Sequence, residues 1–312
     1  MAHFHDVNKQ NLYKPSIALI PFYLTFVVVI IIVILKGYAY YISGSTALLG
    51  SLVDSLGDGA ISLITFVTLR YSLKPPDKEH RYGHGKAEGF SALLQASVIF
   101  GAAIFLILET INKFFFPVVI QHQMFGILVS VITIFLTILV VIAQKIAYRY
   151  APSLALKADS THYTSDILLN LLVIISLVIN LLTNIVIVDL LMGVGIALFI
   201  AFSAFKIAKE ATDMLMDKEI SSKARDKIIK IVKSHKDVIS MHDLRTRKSG
   251  MQIYISFDVE LESTLSLKKA HDITVELDKA ILAEFPNAEI MIHKDPEGLV
   301  SDHRHKVKGV HY

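Results

Sequence analysis

Two pairs of ionisable side chains lie within apolar stretches of the sequence. Asp54 and Asp58 stand four residues apart in SLVDSLGDGAIS, and His162 and Asp166 stand four residues apart in KADSTHYTSDILLN. On a helix this spacing places both members of a pair on one face. The three carboxylates and the imidazole together supply the four nitrogen and oxygen ligands that a tetrahedral divalent ion requires.

The imidazole narrows the choice of ion. Magnesium and calcium prefer shells made of oxygen alone, whereas imidazole suits transition metals. Zinc, ferrous iron, cadmium, cobalt and manganese all remain compatible with this set. The alternative is that these groups are protonated or paired with a buried cation and serve only helix packing. Lys36 in the first span is the available cation, but we expect it near the outer end of that span, where its ammonium can snorkel to the membrane interface. One lysine does not balance three carboxylates, so the pattern predicts a metal site.

The composition places these pairs in a membrane protein. Of the 312 residues, 53% are hydrophobic and only 19% are charged, and the mean hydropathy is +0.54. Ionisable residues within membrane segments usually mark an ion pathway, because burying their charge there costs at least about 3 kcal/mol. The net charge of +3 gives no indication of a nucleic-acid partner. The absence of cysteine excludes thiolate ligands and disulfides.

Six apolar stretches are long enough to cross a bilayer core of about 30 Å. No cleavage site follows the first, so we expect it to remain as a span. Basic residues concentrate in the loops after spans two, four and six, which predicts that these loops and both termini are cytoplasmic. The second and fifth spans then run in opposite directions, and their ligand pairs meet near the midplane. The predicted spans are 17–41, 47–71, 90–114, 124–143, 155–182 and 185–208.

The composition changes to that of a soluble domain after about residue 211. Helical and strand-like periodicities follow in the order αββαβ, with a Ser-Gly turn between the first two strands. The predicted fold class is therefore an all-α transmembrane domain of six helices followed by a small α+β domain. The predicted boundaries are 1–210 for the transport domain, 211–296 for the cytoplasmic domain and 297–312 for a polar tail.

Five motifs make the chain resemble the cation diffusion facilitators, in particular the bacterial branch that exports zinc and ferrous iron. They are GSTALLGSLVDSLGD, RYSLKPPDKEHRYGHGKAE, ADSTHYTSD, HDLRTRKSG and IHKDP. The resemblance implies a homodimer with a ferredoxin-like cytoplasmic domain, which exchanges cytoplasmic metal for external protons. It places the transport ligands at the two pairs already described.

The resemblance also implies two further metal sites and one charge contact. Asp77, His80 and His84 form a loop site, for which the basic surroundings favour weak or regulatory binding. A cytoplasmic two-ion cluster is implied near the domain dimer interface. This sequence departs from the family at Asp258, where a histidine is expected, and at Lys294, where relatives carry an uncharged residue. The implied cluster ligands are His242, Asp258, His271, His293 and Asp295. Lys86 and Asp217 are implied to form a charge contact that locks the dimer.

These observations predict a divalent metal exporter, with zinc as the expected ion, that works by metal-proton antiport with alternating access. The chain is not expected to be an enzyme: metal ions are its substrate and structural or regulatory ligands, and no catalytic cofactor is implied. The expected partners are a second copy, metal ions, protons and the lipid bilayer of a bacterial inner membrane. Three alternatives remain open: a membrane metal sensor without flux, an intramembrane metalloenzyme, for which the H-E-x-x-H signature is absent, and an exporter of organic cations.

Overall fold

The computed structural model describes residues 15–43, 46–115, 123–183 and 186–298. Within these ranges the chain forms two compact units that meet in sequence between Leu215 and Met216. The predicted domain boundary after residue 210 stays a prediction. From residue 299 onward, the predicted tail lies outside the described residues. This part contains His303, His305 and His311.

The first unit consists of a short 3-10 turn followed by six long helices. Apolar residues dominate all six, and proline does not occur beyond the first turn of any of them, so nothing in their sequences interrupts the helical hydrogen bonding. The turn is Pro15–Leu19, and the helices are α1 (Ile20–Ser43), α2 (Thr46–Ser72), α3 (Ala87–Phe115), α4 (Gln123–Tyr150), α5 (Leu154–Thr183) and α6 (Val186–Leu215).

Within the described residues, three stretches are long and apolar enough to cross a bilayer by length and composition alone. They are Ser16–Tyr41, Ala87–Asn112 and Leu128–Tyr150. The candidate ligands lie on α2 and α5, which are less apolar. Polar residues that face other helices reduce the apolar character of a span without preventing it from crossing the membrane.

Small side chains determine how closely the helices pack. On the α3–α6 pair, alanines such as Ala92, Ala96 and Ala211 are fully or almost fully buried, which is the packing expected where lipid removes the hydrophobic drive between helices. Gly59 of α2 faces Val29 of α1, and a Cβ atom at Gly59 would lie 2.8 Å from Val29 Cγ1. The glycine therefore allows α1 to approach α2 beside Asp58.

The second unit has the order α7 (Ser222–Lys233), β1 (Ser240–Ser249), β2 (Gln252–Leu261), α8 (Leu267–Glu284) and β3 (Ala288–Pro296), which confirms the αββαβ prediction. β2 is central, antiparallel to β1 and parallel to β3. Gly250 has a positive φ of 59° at the β1–β2 turn, as such a tight turn requires. Ile228, Phe257 and Leu277 belong to the core in which the two helices pack on the sheet.

Candidate metal centre

Three of the four predicted transport ligands lie together between α2 and α5. Asp58, His162 and Asp166 each offer a ligand atom, and these atoms all lie within 4.8 Å of one another. The Nε2 atom of His162 is 3.1 Å from Asp58 Oδ1 and 3.5 Å from Asp166 Oδ2. The imidazole is buried and the two carboxylates are half-buried. A single ion at the centre of this group would be reached by one nitrogen and two oxygen ligands.

The local sequence explains why these three groups face one another. The i, i+4 spacing puts His162 and Asp166 on one face of α5, and the close approach of α1 at Gly59 supports α2 at the adjoining residue. Asp166 Oδ2 accepts no hydrogen bond from any residue that the structure describes. A buried oxygen without a donor is costly, and a bound cation would satisfy it.

Asp54 lies one helical turn before Asp58 on α2 but outside the group of three, and its side chain is exposed. The fourth predicted ligand is therefore not brought to the other three in this structure. The role of Asp54 as a ligand stays a prediction. It would require the Asp54 side chain to turn toward the ion from its place on the same helical face as Asp58.

The expectation that Lys36 snorkels to the interface is wrong. Lys36 is 7% exposed, and its ammonium donates a 2.7 Å hydrogen bond to Ser55 Oγ of α2. It also interacts electrostatically with Asp54, Asp58 and Asp166. The reason is that packing of α1 on α2 brings the ammonium to the Ser55 hydroxyl, close enough to carboxylates of α2 and α5 to be attracted by them. Three ionised carboxylates and one ammonium leave two negative charges, which one divalent ion balances.

A buried carboxylate outside the metal group fixes the beginning of α5. Glu88 of α3 is 1% exposed, and its Oε2 accepts hydrogen bonds from Ser153 Oγ at 2.8 Å and from the Leu154 backbone N–H at 2.9 Å. Negative charge is favourable at the first turn of a helix, where the backbone N–H groups lack intrahelical partners. The sequence gives no indication of this contact, because Glu88 reads as an ordinary residue of a helix start.

The predicted loop ligands also form a group within 4.8 Å. His84 Nε2 is 3.2 Å from Asp77 Oδ2, and His80 Nδ1 is 3.4 Å from Asp77 Oδ1. Gly83, with φ of 73°, lets the chain turn so that the His80 and His84 rings come within 4.6 Å. The backbone N–H groups of His80 and Glu79 hydrogen-bond to Asp77 and lower its pKa, so this carboxylate is ionised and available to a cation at neutral pH.

In the second unit, His242, Asp258 and Asp295 form the third such group. His242 Nε2 is 3.2 Å from Asp295 Oδ2 and 3.9 Å from Asp258 Oδ2, and His293 Nε2 is 3.1 Å from Asp295 Oδ1. The strand register produces this arrangement, because Asp258 pairs with His242 of β1 and with His293 of β3. One imidazole and two carboxylates form a donor set suited to zinc.

The remaining predicted residues lie apart from these groups. His271 is exposed on α8 and outside the cluster, because it stands on the helical layer and not on the strands. Lys294 lies on β3 between His293 and Asp295. Lys86 donates a hydrogen bond to the Leu215 carbonyl, and Asp217 pairs with Arg247 at 3.3 Å. The Lys86–Asp217 contact stays a prediction.

Neutralising Asp258 is expected to stabilise the metal-free protein. Burial raises the pKa of Asp258, and Asp295 and Asp243 add to this, while His293 and His242 oppose it. A carboxyl whose pKa is raised by folding contributes stability at low pH that is lost as the pH rises through the folded value. Asp258→Asn removes that loss, and we expect the Tm at pH 7.5 to rise by about 1–3 °C.

The measurement is thermal unfolding of the full-length protein in detergent, with and without zinc. The gap between variant and parent should close as the pH falls toward 4, and the zinc-induced rise in Tm should shrink in the variant because a ligand is lost. Asp226→Asn, at an exposed position of α7, is the matched control. An unchanged zinc-induced rise in Asp258→Asn would show that Asp258 does not bind metal.

Both units match known families. The "Cation efflux transmembrane domain" family model matches residues 22–216, and the "Cation efflux protein, cytoplasmic domain" model, ZT_dimer, matches residues 220–297. The chain is 40% identical over 275 residues to the cation-efflux pump FieF of Yersinia enterocolitica, covering 88% of this chain and 91% of the relative. It is 39% identical to FieF of Yersinia pestis and of Yersinia pseudotuberculosis, with the same coverage.

Solved structures similar to the second unit are also known. The metal-bound C-terminal domain of the CzcD transporter from Thermotoga maritima is 30% identical and covers 25% of this chain and 93% of that chain, with a TM-score of 0.25. A cytosolic domain of a cation diffusion facilitator family protein is 30% identical and covers 24% of this chain and 92% of that chain, with a TM-score of 0.23.

Proposed function

The chain belongs to the cation efflux family, and from this premise we propose that it exports zinc in exchange for protons through the Asp58–His162–Asp166 group. Membership makes it a divalent-cation efflux transporter of the membrane. Family membership does not specify the transported metal, the counter-ion or the residues that bind the metal. The observation that supports them best is the convergence of one imidazole and two carboxylates between α2 and α5.

The donor set favours zinc among divalent ions. An imidazole 3.1 Å from one carboxylate and 3.5 Å from a second provides mixed nitrogen and oxygen ligation, which suits zinc and its transition-metal neighbours better than magnesium or calcium. We propose that Asp54 turns inward to become the fourth ligand. The same imidazole and carboxylate ligands can bind ferrous iron and cadmium, so we propose these two ions as secondary substrates.

Proton exchange follows from the charge of the group without metal. Once the ion leaves, Asp54, Asp58 and Asp166 retain two negative charges beyond the one that Lys36 balances, in surroundings that disfavour ions. Protons from the opposite side of the membrane are the available compensation. His162 binds metal only when it is neutral, so a proton there also competes with metal. Metal and protons thus exclude one another as the site opens alternately to each side.

We propose that the working unit is a homodimer in the bacterial inner membrane, with both termini in the cytoplasm. ZT_dimer, the family model that matches residues 220–297, supports dimerisation. Each protomer then has two resident metal sites. They are the loop cluster of Asp77, His80 and His84 and the strand cluster of His242, Asp258 and Asp295. Zinc fits the histidine and carboxylate donors of both. The family is one of transporters, and we propose no enzymatic activity.

The test is zinc movement into proteoliposomes. The parent protein, reconstituted with a zinc-sensing dye in the lumen, should take up zinc faster when the lumen is more acidic than the medium. Collapsing the gradient with a proton carrier should slow uptake to the rate seen at equal pH. A parent protein that binds zinc but carries none would instead be a sensor, and uptake indifferent to the gradient would refute proton exchange.

A further inference from the structure

A buried carboxylate that is not part of the metal group lies one helical turn before it on α5. Asp159 stands three residues before His162 and is 0% exposed. Its Oδ1 accepts hydrogen bonds of 3.0 Å from Ser62 Oγ and from Gln95 Nε2, and its Oδ2 accepts one of 2.7 Å from Gln144 Nε2. The donors are uncharged and belong to three different helices, α2, α3 and α4.

A second layer of polar groups surrounds these donors. Ser62 Oγ lies 2.9 Å from the Tyr163 hydroxyl, and Gln95 Nε2 also donates to Thr65. Gln144 Nε2 is 3.5 Å from Thr25 Oγ1 of α1. One side chain of α5 is therefore connected, directly or through one intermediate, to each of helices α1 to α4.

The burial of these groups makes their contacts sensitive to displacement. Ser62 and Gln144 are both 0% exposed and Gln95 is 1% exposed, so water cannot replace a broken bond, and an unpaired buried carboxylate is costly. A shift of α5 against α2 would separate Asp159 from Ser62 and, one turn later, His162 from Asp58. The same displacement that breaks this network would open the metal group.

We propose that Asp159 is a positioning residue: its hydrogen bonds to Ser62, Gln95 and Gln144 hold α5 where His162 and Asp166 reach Asp58. Asp159 does not bind the transported ion. This inference rests on the proposed function, since it concerns the geometry of the same site.

The orientation of the Gln144 amide allows hydrogen bonding to be separated from charge. Gln144 Oε1 accepts no hydrogen bond from any residue that the structure describes. In Asp159→Asn the Oδ1 atom can keep the two donors Ser62 and Gln95, while the new amide faces Gln144. Reversing the Gln144 amide then presents Oε1 to that donor. The asparagine variant therefore preserves the network without the charge, provided that Gln144 is present.

The experiment compares Asp159→Ala, Asp159→Asn and Asp159→Asn combined with Gln144→Leu in the full-length protein. All of them, and the parent, have the loop and strand clusters disabled by Asp77→Asn, His84→Gln, His242→Gln and Asp258→Asn, so that the titration reports on the transport site. Two readouts are taken: the zinc dissociation constant by equilibrium titration and zinc uptake by proteoliposomes. We expect the alanine variant to bind zinc about 10–100-fold more weakly, as loss of a supporting group does. The asparagine variant should bind within about threefold of the parent, and the double variant should weaken again by about tenfold or more.

Each outcome decides the matter. An asparagine variant as weak as the alanine variant would show that the charge of Asp159 is needed, and would overturn a role based on hydrogen-bond geometry. Alanine equal to the parent would remove the role altogether. If the alanine variant does not fold, the asparagine single and double variants still decide, because equal affinity in those two refutes the network. Absence of uptake by the parent would instead refute transport, while the affinities still test Asp159.

Discussion

Replacing Asp58 with asparagine is expected to reduce zinc uptake into proteoliposomes by at least about 100-fold. In the structure, Asp58 is the member of the group of three that α2 contributes, so in the proposed site it would join α2 to α5 through the ion. Loss of a group that only supports a metal ligand costs about 10–100-fold in affinity, and loss of a charged ligand should cost at least the upper end of that range. The measurement is the initial uptake rate at saturating and at limiting zinc.

Two further variants are measured beside Asp58→Asn, one as a control and one as a test of the fourth ligand. Asp213→Asn removes a carboxylate near the end of α6, away from the group, and should transport like the parent. Asp54→Asn should lose at least about tenfold if, as we propose, Asp54 completes the shell. Parental uptake by Asp54→Asn would leave a three-ligand site, whereas parental uptake by Asp58→Asn would refute the site itself.

Replacing His162 with aspartate is expected to change which ion the protein prefers. The variant has a shell of oxygen ligands alone. Such a shell suits hard ions such as manganese and magnesium better than it suits zinc. We expect zinc affinity to fall by about 100-fold or more, in line with the loss of a ligand, and the ratio of manganese to zinc affinity to rise by a similar factor. The added negative charge should strengthen the attraction for any divalent ion, so lost zinc affinity cannot come from weaker electrostatics.

The measurement is competition between zinc and manganese by equilibrium titration of the full-length protein in which the loop and strand clusters are disabled. His235→Asp is a suitable control, because His235 lies in the second unit and pairs there with Glu276 at 3.0 Å. An unchanged preference in His162→Asp would show that the imidazole does not contact the ion. A preference changed equally by both substitutions would point to a general effect of charge.

The paired spacing of the ligands is the part of the site that sequence predicts well. Two residues four positions apart in a helix share a face whatever the rest of the fold does, so the proximity of His162 and Asp166 follows from sequence alone. That Asp58 faces them depended on the inference that α2 and α5 run in opposite directions. The structure brings Asp58 to them at hydrogen-bonding distance from His162.

Hydropathy predicts the existence of the helices better than their ends. Hydropathy places the end of the fourth span at residue 143 and that of the sixth at residue 208, whereas α4 ends at Tyr150 and α6 at Leu215. Hydropathy reports where the chain leaves the hydrocarbon core. The helix itself continues for as long as its backbone hydrogen bonds form, and polar residues such as Lys145 and Glu210 do not stop it.

Contacts between distant polar residues were the part that the sequence could not supply. Hydropathy does not give the position of the Lys36 ammonium, because that position depends on the packing of α1 against Ser55 of α2. The sequence places Asp159 one helical turn before His162, on the same side of α5, but a position on a helical face does not show whether hydrogen-bond donors or a metal ion satisfy the carboxylate. The signal in the sequence is Gln95 within the third predicted span and Gln144 directly after the fourth, because amides buried among helices need hydrogen-bond partners.

Zinc K-edge X-ray absorption tests the central claim most directly. The sample is a protein whose loop and strand clusters are disabled by Asp77→Asn, His84→Gln, His242→Gln and Asp258→Asn, loaded with one zinc ion per protomer. We predict four ligands at about 2.0–2.2 Å, with the scattering signature of a single imidazole that disappears in His162→Asp. A shell of six oxygens without imidazole, or a spectrum unaffected by substitution of His162, would contradict the assignment of Asp58, His162 and Asp166 as the site that carries the ion.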